Sequence, residues 1–282
     1  MIPQTFEYTS AATLDQALGL IAQGAKPLAG GMSLIPMMKL RLAAPEHLVD
    51  IGRIKELNYI REQPGSLHIG AAVTHYEVES SPLVRGKCPL LAETAGHIGD
   101  VQVRNMGTIG GSIAHADPSA DYPAALQALE AKIVLRGAKS QRTIPFSDFL
   151  VDAFSTAIEP GEIVSEVIVP VDSAGTSYQK LLQPASGFAI VGVAARIERS
   201  GGKITRARVG VTGLSNHAYR AAATEKMLEG RSGSAMDIQH AAAMVAEGAD
   251  ANSDLHASAD YRRHLATVYA ARAITAALAR TA

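Results

Sequence analysis

The chain has 282 residues, of which 47% are hydrophobic and 19% charged, as is usual for folded proteins. A formal net charge of −1 gives no electrostatic reason to expect nucleic acid or an anionic membrane as a partner. The chain has no apolar run of about 18 residues, and Met1-Ile2-Pro3-Gln4 lacks the basic-then-apolar pattern of a signal peptide. We therefore expect a cytoplasmic protein with no integral membrane segment, long enough for two domains.

Cys88 is the single cysteine of the chain. This chain alone therefore forms no disulfide framework and holds no iron–sulfur cluster, which needs about four thiolates. Cys88 is a candidate nucleophile, but a lone cysteine before Pro89 is more typical of a small buried apolar residue. Because Trp is absent and aromatic residues make up 5% of the chain, a base-stacking surface for nucleic acid is not expected.

Hydrophobic periodicity and turn residues predict the elements of the first part of the chain. In chain order they are a helix over 9–23, a helical turn over 34–42, a strand over 48–51, a strand pair at 59–61 and 67–70, a helix over 89–98, a helical pattern from 118 to 131, and strands at 132–135 and 142–144. Thr74 and Glu77 have the spacing of a capping box, which predicts a further helix start.

A strand over 162–170 ends at Pro170, and the small polar segment that follows it, 171–177, is the expected domain boundary. Beyond this boundary the pattern predicts two long strands and three helices. The strands span 189–197 and 204–212, and the helices lie near 218–228, 235–246 and 260–279.

Two segments carry paired glycines beside hydroxyl side chains. We call residues 29–33 (Ala-Gly-Gly-Met-Ser) the first glycine motif and residues 107–112 (Gly-Thr-Ile-Gly-Gly-Ser) the second. Glycine lets backbone N–H groups approach a pyrophosphate closely and adopts a positive φ easily. Both motifs precede predicted helix starts, which favour anions. Together they predict a two-motif clamp for a dinucleotide.

Each glycine pair taken alone is also compatible with an ordinary tight turn. Neither motif has the Gly-x-Gly-x-x-Gly pattern of a Rossmann fold, and the chain contains no P-loop. The dinucleotide interpretation therefore depends on both motifs acting together.

The two motifs and three further segments resemble a known family. Segments 27–36 and 104–112 are similar to the two flavin-binding segments in the medium subunits of molybdenum hydroxylases, and 116–121, 177–180 and 185–192 extend the resemblance over nearly the whole chain. This family includes the carbon monoxide dehydrogenase flavoprotein and the corresponding domain of xanthine dehydrogenase. One departure is Met32, where carbon monoxide dehydrogenases often have histidine.

The resemblance implies an α+β fold in which an FAD-binding domain of the vanillyl-alcohol-oxidase type precedes a smaller C-terminal domain of antiparallel sheet and helices. The FAD-binding domain would span 1–176, with subdomains 1–55 and 56–176, and the C-terminal domain 177–282. The implied FAD-binding residues surround the pyrophosphate or lie near the flavin. They are Ala29, Gly30, Gly31, Met32, Ser33, Leu34, Gly107, Thr108, Ile109, Gly110, Gly111, Ser112, Ala114, Asp121, Val164 and Lys180.

Several of these residues have a second interpretation. Asp121 is equally compatible with an acid at a helix start, stabilised by the helix dipole, and Lys180 with a solvated strand residue. His115 and Asp117 have the spacing of a metal pair, although a polar pair in a loop is more typical because no further ligands cluster nearby. Arg104 either anchors the second motif or pairs with an acid.

The functional expectation is the FAD subunit of a multi-subunit molybdenum hydroxylase. The resemblance implies a large molybdopterin subunit and a small subunit with two [2Fe–2S] clusters as partners, in a dimer of heterotrimers. Electrons would pass from the clusters to FAD and then to an external acceptor. The alternatives are a self-contained FAD-dependent reductase or oxidase of the same fold and a non-catalytic scaffold. We expect no catalytic side chain and no metal ligand in this chain.

Overall fold

The structure, a computed structural model, describes residues 2–281; Met1 and Ala282, the outer limits of the two predicted domains, lie outside that range. Within it, the elements form three sheets of three, five and four strands, a two-stranded hairpin, and eleven α-helices. No helix in residues 2–281 combines the length and the apolar composition that a membrane crossing requires.

The first unit is a small parallel sheet with two helices. Its elements are β1 (Glu7–Ser10), α1 (Leu14–Ala22), β2 (Lys26–Leu28), α2 (Leu34–Lys39) and β3 (His47–Asp50). The strand order is β1-β3-β2, with both pairs parallel. The helix predicted from residue 9 begins later because Thr9 pairs with Val49 in the sheet, and Thr13 caps α1 by accepting a hydrogen bond from the Gln16 N–H.

The second unit is a five-stranded antiparallel sheet with six helices. Its elements are β4 (Ile60–Gln63), β5 (Ser66–Gly70), α3 (His75–Ser80), α4 (Pro82–Lys87), α5 (Pro89–Gly96), α6 (Val101–Met106), α7 (Ile109–His115), α8 (Tyr122–Ala128), β6 (Lys132–Arg136), β7 (Gln141–Pro145), β8 (Leu150–Asp152), β9 (Ser155–Thr156) and β10 (Ile163–Pro170). The sheet order is β4-β5-β10-β6-β7, and β8 and β9 form the separate hairpin. The predicted capping box between Thr74 and Glu77 is confirmed at the start of α3.

The third unit is an antiparallel sheet covered by helices, as predicted. It contains β11 (Gly175–Leu182), β12 (Ala189–Ser200), β13 (Lys203–Thr212), β14 (Tyr219–Arg220), α9 (Ala222–Leu228), α10 (Ala235–Ala243) and α11 (Ala259–Leu278). The sheet order is β11-β12-β13-β14. Apolar residues of β12 and β13 form one core with α9, α10 and α11.

Helix α8 joins the second and third units. Every residue of α8 is buried, and an added Cβ on Gly210 of β13 would overlap the carbonyl oxygen of Ala124. The helix therefore lies directly on the backbone of the C-terminal sheet. Tyr178 and Ala194 of that sheet belong to the same apolar core as the helices of the second unit.

Candidate functional site

The structure brings the two glycine motifs into direct contact. An added Cβ on Gly30 would overlap the carbonyl oxygen of Met106, and it would also lie 2.8 Å from the Cα of Gly107. An added Cβ on Gly111 would lie 3.9 Å from the Cβ of Ala29. Segments more than 70 residues apart in sequence thus form one surface, as the two-motif hypothesis requires.

The first glycine motif is a half-buried turn between β2 and α2, with Met32 exposed. Gly31 has a φ of +72°, a conformation that side chains with a Cβ rarely adopt. Across residues 2–281, no protein atom accepts a hydrogen bond from the backbone N–H of Gly30, Gly31, Met32 or Ser33. These N–H groups are therefore available for an anionic ligand.

The second glycine motif is a capped helix start and not a loop. Thr108 is the N-cap of α7, and its hydroxyl accepts from the Gly111 N–H at 3.2 Å. The N–H groups of Ile109 and Gly110 donate to the carbonyl oxygens of Val73 and Ala71. The first N–H groups of α7 are thus used within the protein, which removes the donors that the sequence interpretation assigned to them.

The role of the second glycine pair is therefore steric, because the absence of side chains permits close packing and leaves space at the surface. An added Cβ on Gly110 would overlap Ala71, so this glycine lets α7 pack on the end of β5. Gly111 is exposed, and an added Cβ there would meet Thr108 Oγ1 at 2.8 Å. The absent side chain at Gly111 leaves the surface between the two motifs open. An open groove beside available N–H groups fits a pyrophosphate.

Asp121 and Lys180 form a buried ion pair between the two predicted domains. The Lys180 Nζ lies 2.8 Å from Asp121 Oδ1, and the two side chains are 1% and 4% exposed. The ammonium group also donates to the carbonyl oxygens of His97 and Gly187, each at 2.7 Å. The Tyr178 hydroxyl donates to Asp121 Oδ1 at 2.5 Å. The alternative interpretation of Lys180 as a solvated strand residue is therefore wrong.

The surroundings of this pair act on its charge in opposite directions. Burial raises the pKa of Asp121, while the Lys180 ammonium and the Tyr178 hydroxyl oppose that rise. Burial and the Asp121 charge raise the pKa of Tyr178, so the phenol remains a donor. Asp121 precedes α8 but makes no capping hydrogen bond with its side chain. Its side-chain contacts therefore join β11 to the start of α8.

The remaining predicted residues differ in how far they are exposed. Met32 is 39% exposed, and Ala114 is exposed on α7. Ser112 and Leu34 are half-buried. Val164 on β10 is 4% exposed and packs in the core of the second unit.

His115 and Asp117 do not form a metal pair with other ligands. The His115 ring packs against Phe154 at 5.2 Å between centroids, and Asp117 Oδ1 accepts from the Ser119 N–H. Over the described part of the chain, no group of three or more His, Cys, Asp or Glu side chains is arranged to hold a metal ion. The polar-pair interpretation agrees with these contacts.

Arg104 pairs with an acid, the second of its two proposed roles, and its other side-chain hydrogen bonds are with the segment before α6 and not with the second glycine motif. Its Nε donates to Glu79 at 2.8 Å, and its Nη1 donates to the carbonyl oxygens of Ile98 and Gly99. Cys88 is 3% exposed, and burial raises the pKa of its thiol to about 12. The interpretation of Cys88 as a small buried apolar residue is confirmed.

Sequence reasoning missed two histidines at the site. His75 lies behind the second motif. Its backbone N–H donates to the Gly107 carbonyl, and its ring Nδ1 lies 3.3 Å from the Tyr122 hydroxyl. Burial, with a smaller effect of the Arg104 charge, lowers the pKa of His75 to about 4. His97 lies edge-on to Tyr178. The only sequence signal for His75 was its place directly after the N-cap of the predicted helix.

Comparison with known proteins identifies the family. Residues 4–172 match the family of the FAD binding domain in molybdopterin dehydrogenase, and residues 176–277 match the CO dehydrogenase flavoprotein C-terminal domain. The carbon monoxide dehydrogenase medium chain of Hydrogenophaga pseudoflava is 40% identical over 100% of both chains. The glyceraldehyde dehydrogenase medium chain of Sulfolobus acidocaldarius is 37% identical over 97% of this chain and 98% of its own. The solved structure of quinoline 2-oxidoreductase from Pseudomonas putida 86 superposes with a TM-score of 0.95, at 31% identity over 100% of both chains.

The fold and the site thus define an FAD-binding oxidoreductase subunit. The chain belongs to the family of FAD-binding medium subunits of molybdenum hydroxylases. The predicted fold class and the predicted cofactor are confirmed by these matches.

Replacing Lys180 by methionine should leave Asp121 buried without its partner. We expect Lys180→Met to lower the free energy of unfolding by about 3–5 kcal/mol, since an uncompensated buried charge is costly. In the double variant Lys180→Met with Asp121→Asn, much of this loss should be recovered. Urea denaturation measures both.

The exposed pair Arg263–Asp260 supplies the control for this experiment. Arg263→Met should change the free energy of unfolding by less than about 0.5 kcal/mol. A loss below about 1 kcal/mol for Lys180→Met would show that the buried pair does not hold the domains together.

His75 should make stability depend on pH. Its pKa is about 4 in the folded protein and about 6.5 when unfolded. Between these values only the unfolded chain binds the proton, so folding stability should fall as the pH drops from about 6.5 to 4. We expect the gap in unfolding free energy between the wild type and His75→Gln to narrow by on the order of 3 kcal/mol over that range. The free energy of unfolding of both proteins is measured by denaturant unfolding at each pH. A difference between them that does not change with pH would contradict a neutral buried His75.

Proposed function

We propose that the chain is the electron-transfer subunit of a multi-subunit molybdenum hydroxylase. It takes electrons from [2Fe–2S] clusters of a small partner subunit and passes them through FAD to an external acceptor, while a large molybdopterin subunit oxidises the substrate. The main support is that full-length relatives are medium chains of such dehydrogenases. The single cysteine agrees with this division, because the clusters then belong to another chain.

The proposal divides the chain into an FAD-binding domain, 1–176, with subdomains 1–55 and 56–176, and a C-terminal domain, 177–282. The limits of the two matching family models, 172 and 176, support this boundary. Strand β11, which begins at Gly175, starts the antiparallel sheet of the second domain.

We propose different roles in FAD binding for the two glycine motifs. The first motif donates its available N–H groups to the pyrophosphate, each hydrogen bond to a charged group contributing roughly 1.5–3 kcal/mol. The second motif supplies an open surface at Gly111 and the hydroxyl of Ser112, while the Thr108 hydroxyl caps α7. As the resemblance implies, Asp121 and Lys180 would lie near the flavin and Val164 beside its ring.

Bound FAD supplies the redox chemistry, accepting and releasing electrons one or two at a time. The residues of this chain bind and orient it. The ion pair of Asp121 and Lys180 keeps a fixed charge distribution beside it, in a region from which water is largely excluded. No side chain is assigned the role of a catalytic acid or base.

The proposed assembly is a dimer of heterotrimers in the cytoplasm. Each heterotrimer would contain this chain with one large and one small subunit. The names of the relatives as medium chains support the presence of larger and smaller partners. A reducing cytoplasm agrees with the free thiol of Cys88.

Gly111→Val tests the cofactor site, since an added Cβ there crowds one side-chain hydroxyl and no backbone atom. The new side chain would fill the surface between the motifs while meeting only the Thr108 hydroxyl within 3 Å. We expect at least a tenfold loss of FAD affinity, measured by fluorescence titration of the flavin-stripped protein. Gly30→Val and Gly110→Val are less informative, since both collide with backbone atoms.

Gly86→Val is the matched control, because Gly86 is also an exposed helical glycine and has no atom within 4 Å of an added Cβ. It should lose similar helix stability and retain FAD. Equal FAD affinity in both variants would remove the second motif from the site.

Purification of the chain from its native host tests the assembly. We expect a large molybdenum-containing subunit and a small iron–sulfur subunit to copurify with it, in a 1:1:1 ratio by quantitative mass spectrometry. A lone flavoprotein that turns over substrate by itself would contradict the proposed division of labour.

A further inference from the structure

A second group of reactive side chains lies on the face of the five-stranded sheet that is opposite its apolar core. Leu67 and Ile69 of β5 point into the core and are fully buried. Ser66 and His68 alternate with them and therefore face the other side of the sheet. Glu166 of β10, which pairs with Gly70 of β5, faces the same side.

Three of these groups are connected in a defined order. The Ser66 Oγ lies 3.2 Å from His68 Nε2, and His68 Nδ1 lies 3.0 Å from Glu166 Oε1. The second carboxylate oxygen of Glu166 accepts a hydrogen bond from the Tyr59 hydroxyl at 2.5 Å. Hydroxyl, imidazole and carboxylate thus follow the order nucleophile, base and orienting acid.

The surroundings hold this arrangement in place. The side chains of His68 and Glu166 are 14% and 16% exposed, so the pair is largely shielded from competing water. Burial, followed by the hydrogen bond to Glu166, raises the pKa of Tyr59, which keeps the phenol a donor to the carboxylate. With Glu166 accepting from Nδ1–H, the Nε2 of a neutral His68 carries the lone pair that faces Ser66.

A cation lies next to these groups. Arg61 is directly opposite His68 in the pairing of β4 with β5, and its guanidinium lies 4.3 Å from the centroid of the Tyr59 ring. Arg61 is exposed, so its charge can face a ligand that approaches from solvent. It is the group suited to stabilise negative charge that develops on an attacked carbonyl oxygen.

We propose that Ser66 is a nucleophile activated by His68 and Glu166, and that it reacts with small activated acyl esters. Ser66 Oγ forms a bond to the acyl carbon while its proton passes to His68 Nε2. The bond from the acyl carbon to the leaving alkoxide or aryloxide then breaks, and His68 returns the proton to the leaving oxygen. Water, with His68 as base, releases the carboxylic acid and restores Ser66. No group changes its oxidation state.

Ser66 lies away from the second glycine motif, whereas Glu166 of the same cluster is two residues from Val164. Ser66 is five residues before Ala71, on which Gly110 packs, and that separation is about 16 Å along an extended strand. The proposal therefore goes beyond the electron-transfer function, and variants at Ser66 should leave FAD content unchanged.

A fluorophosphonate probe tests the nucleophile on the full chain, because its phosphorus traps an activated serine when fluoride leaves. We expect labelling of wild-type Ser66, located by peptide mass spectrometry, and at least a tenfold lower total rate in Ser66→Ala. His68→Gln retains the serine but lacks the base and should also be at least tenfold slower. Ser173→Ala, at an exposed serine outside the cluster, should label like the wild type.

Hydrolysis of p-nitrophenyl acetate provides the second measurement. More than one equivalent of p-nitrophenol per chain, lost in Ser66→Ala and in His68→Gln, would support turnover at this serine. Circular dichroism and FAD content establish that each variant is folded, and either variant is sufficient if the other does not fold. The proposal is overturned if wild-type Ser66 is labelled no faster than other exposed serines, or if His68→Gln labels as fast as the wild type.

Discussion

Helix α8 is the element on which the arrangement of the two domains depends, because the C-terminal domain holds it at both ends. At its start, Asp121 is paired with Lys180 in a buried environment. Just after its end, Glu130 accepts hydrogen bonds from three arginines of the C-terminal sheet, Arg206, Arg208 and Arg220. Between these points the helix lies on Gly210 with no room for a side chain. The two ends of α8 differ in their contribution to stability. The ion pairs of Glu130 are partly exposed and contribute little, whereas breaking the buried pair of Asp121 and Lys180 costs several kcal/mol.

This constraint connects the proposed C-terminal domain to the proposed flavin site, whose glycine motifs both belong to the proposed FAD-binding domain. Lys180 reaches from β11 to Asp121, and it also holds the carbonyl groups of His97 and Gly187. Four separate segments therefore meet at one ammonium group. The wall of the proposed flavin site exists only when both domains are folded and in contact.

The two glycine motifs show that similar sequences can do different physical work. In the first motif the backbone N–H groups remain available, and Gly31 adopts a positive φ. In the second, Thr108 and the end of β5 use the corresponding N–H groups, and the glycines permit close packing. A search for paired glycines finds both motifs. It cannot distinguish a turn with available backbone N–H groups from a packed helix start, because the difference depends on whether a protein oxygen lies close enough to accept from those groups.

Local pattern predicted most elements of the chain. The amphipathic stripe of α1, the capping box at Thr74, and the long hairpin of β12 and β13 all depend on neighbours within a few residues. The misplaced start of α1 illustrates the limit. The predicted helix begins at Thr9 although its apolar positions at helical spacing begin at Leu14, and pairing with β3 places Thr9 in a strand.

What the sequence by itself determined was the family, the cofactor class, and the pair of motifs that carries both, because these depend on the order of residue types along the chain. The tertiary structure decided which of those residues are exposed and which are satisfied internally. It buried Lys180 against Asp121, placed the neutral His75 behind Gly107, and aligned Ser66 with His68 and Glu166. Such contacts join residues far apart in sequence, and their energies depend on burial and on the choice of hydrogen-bond partner, which no local pattern encodes.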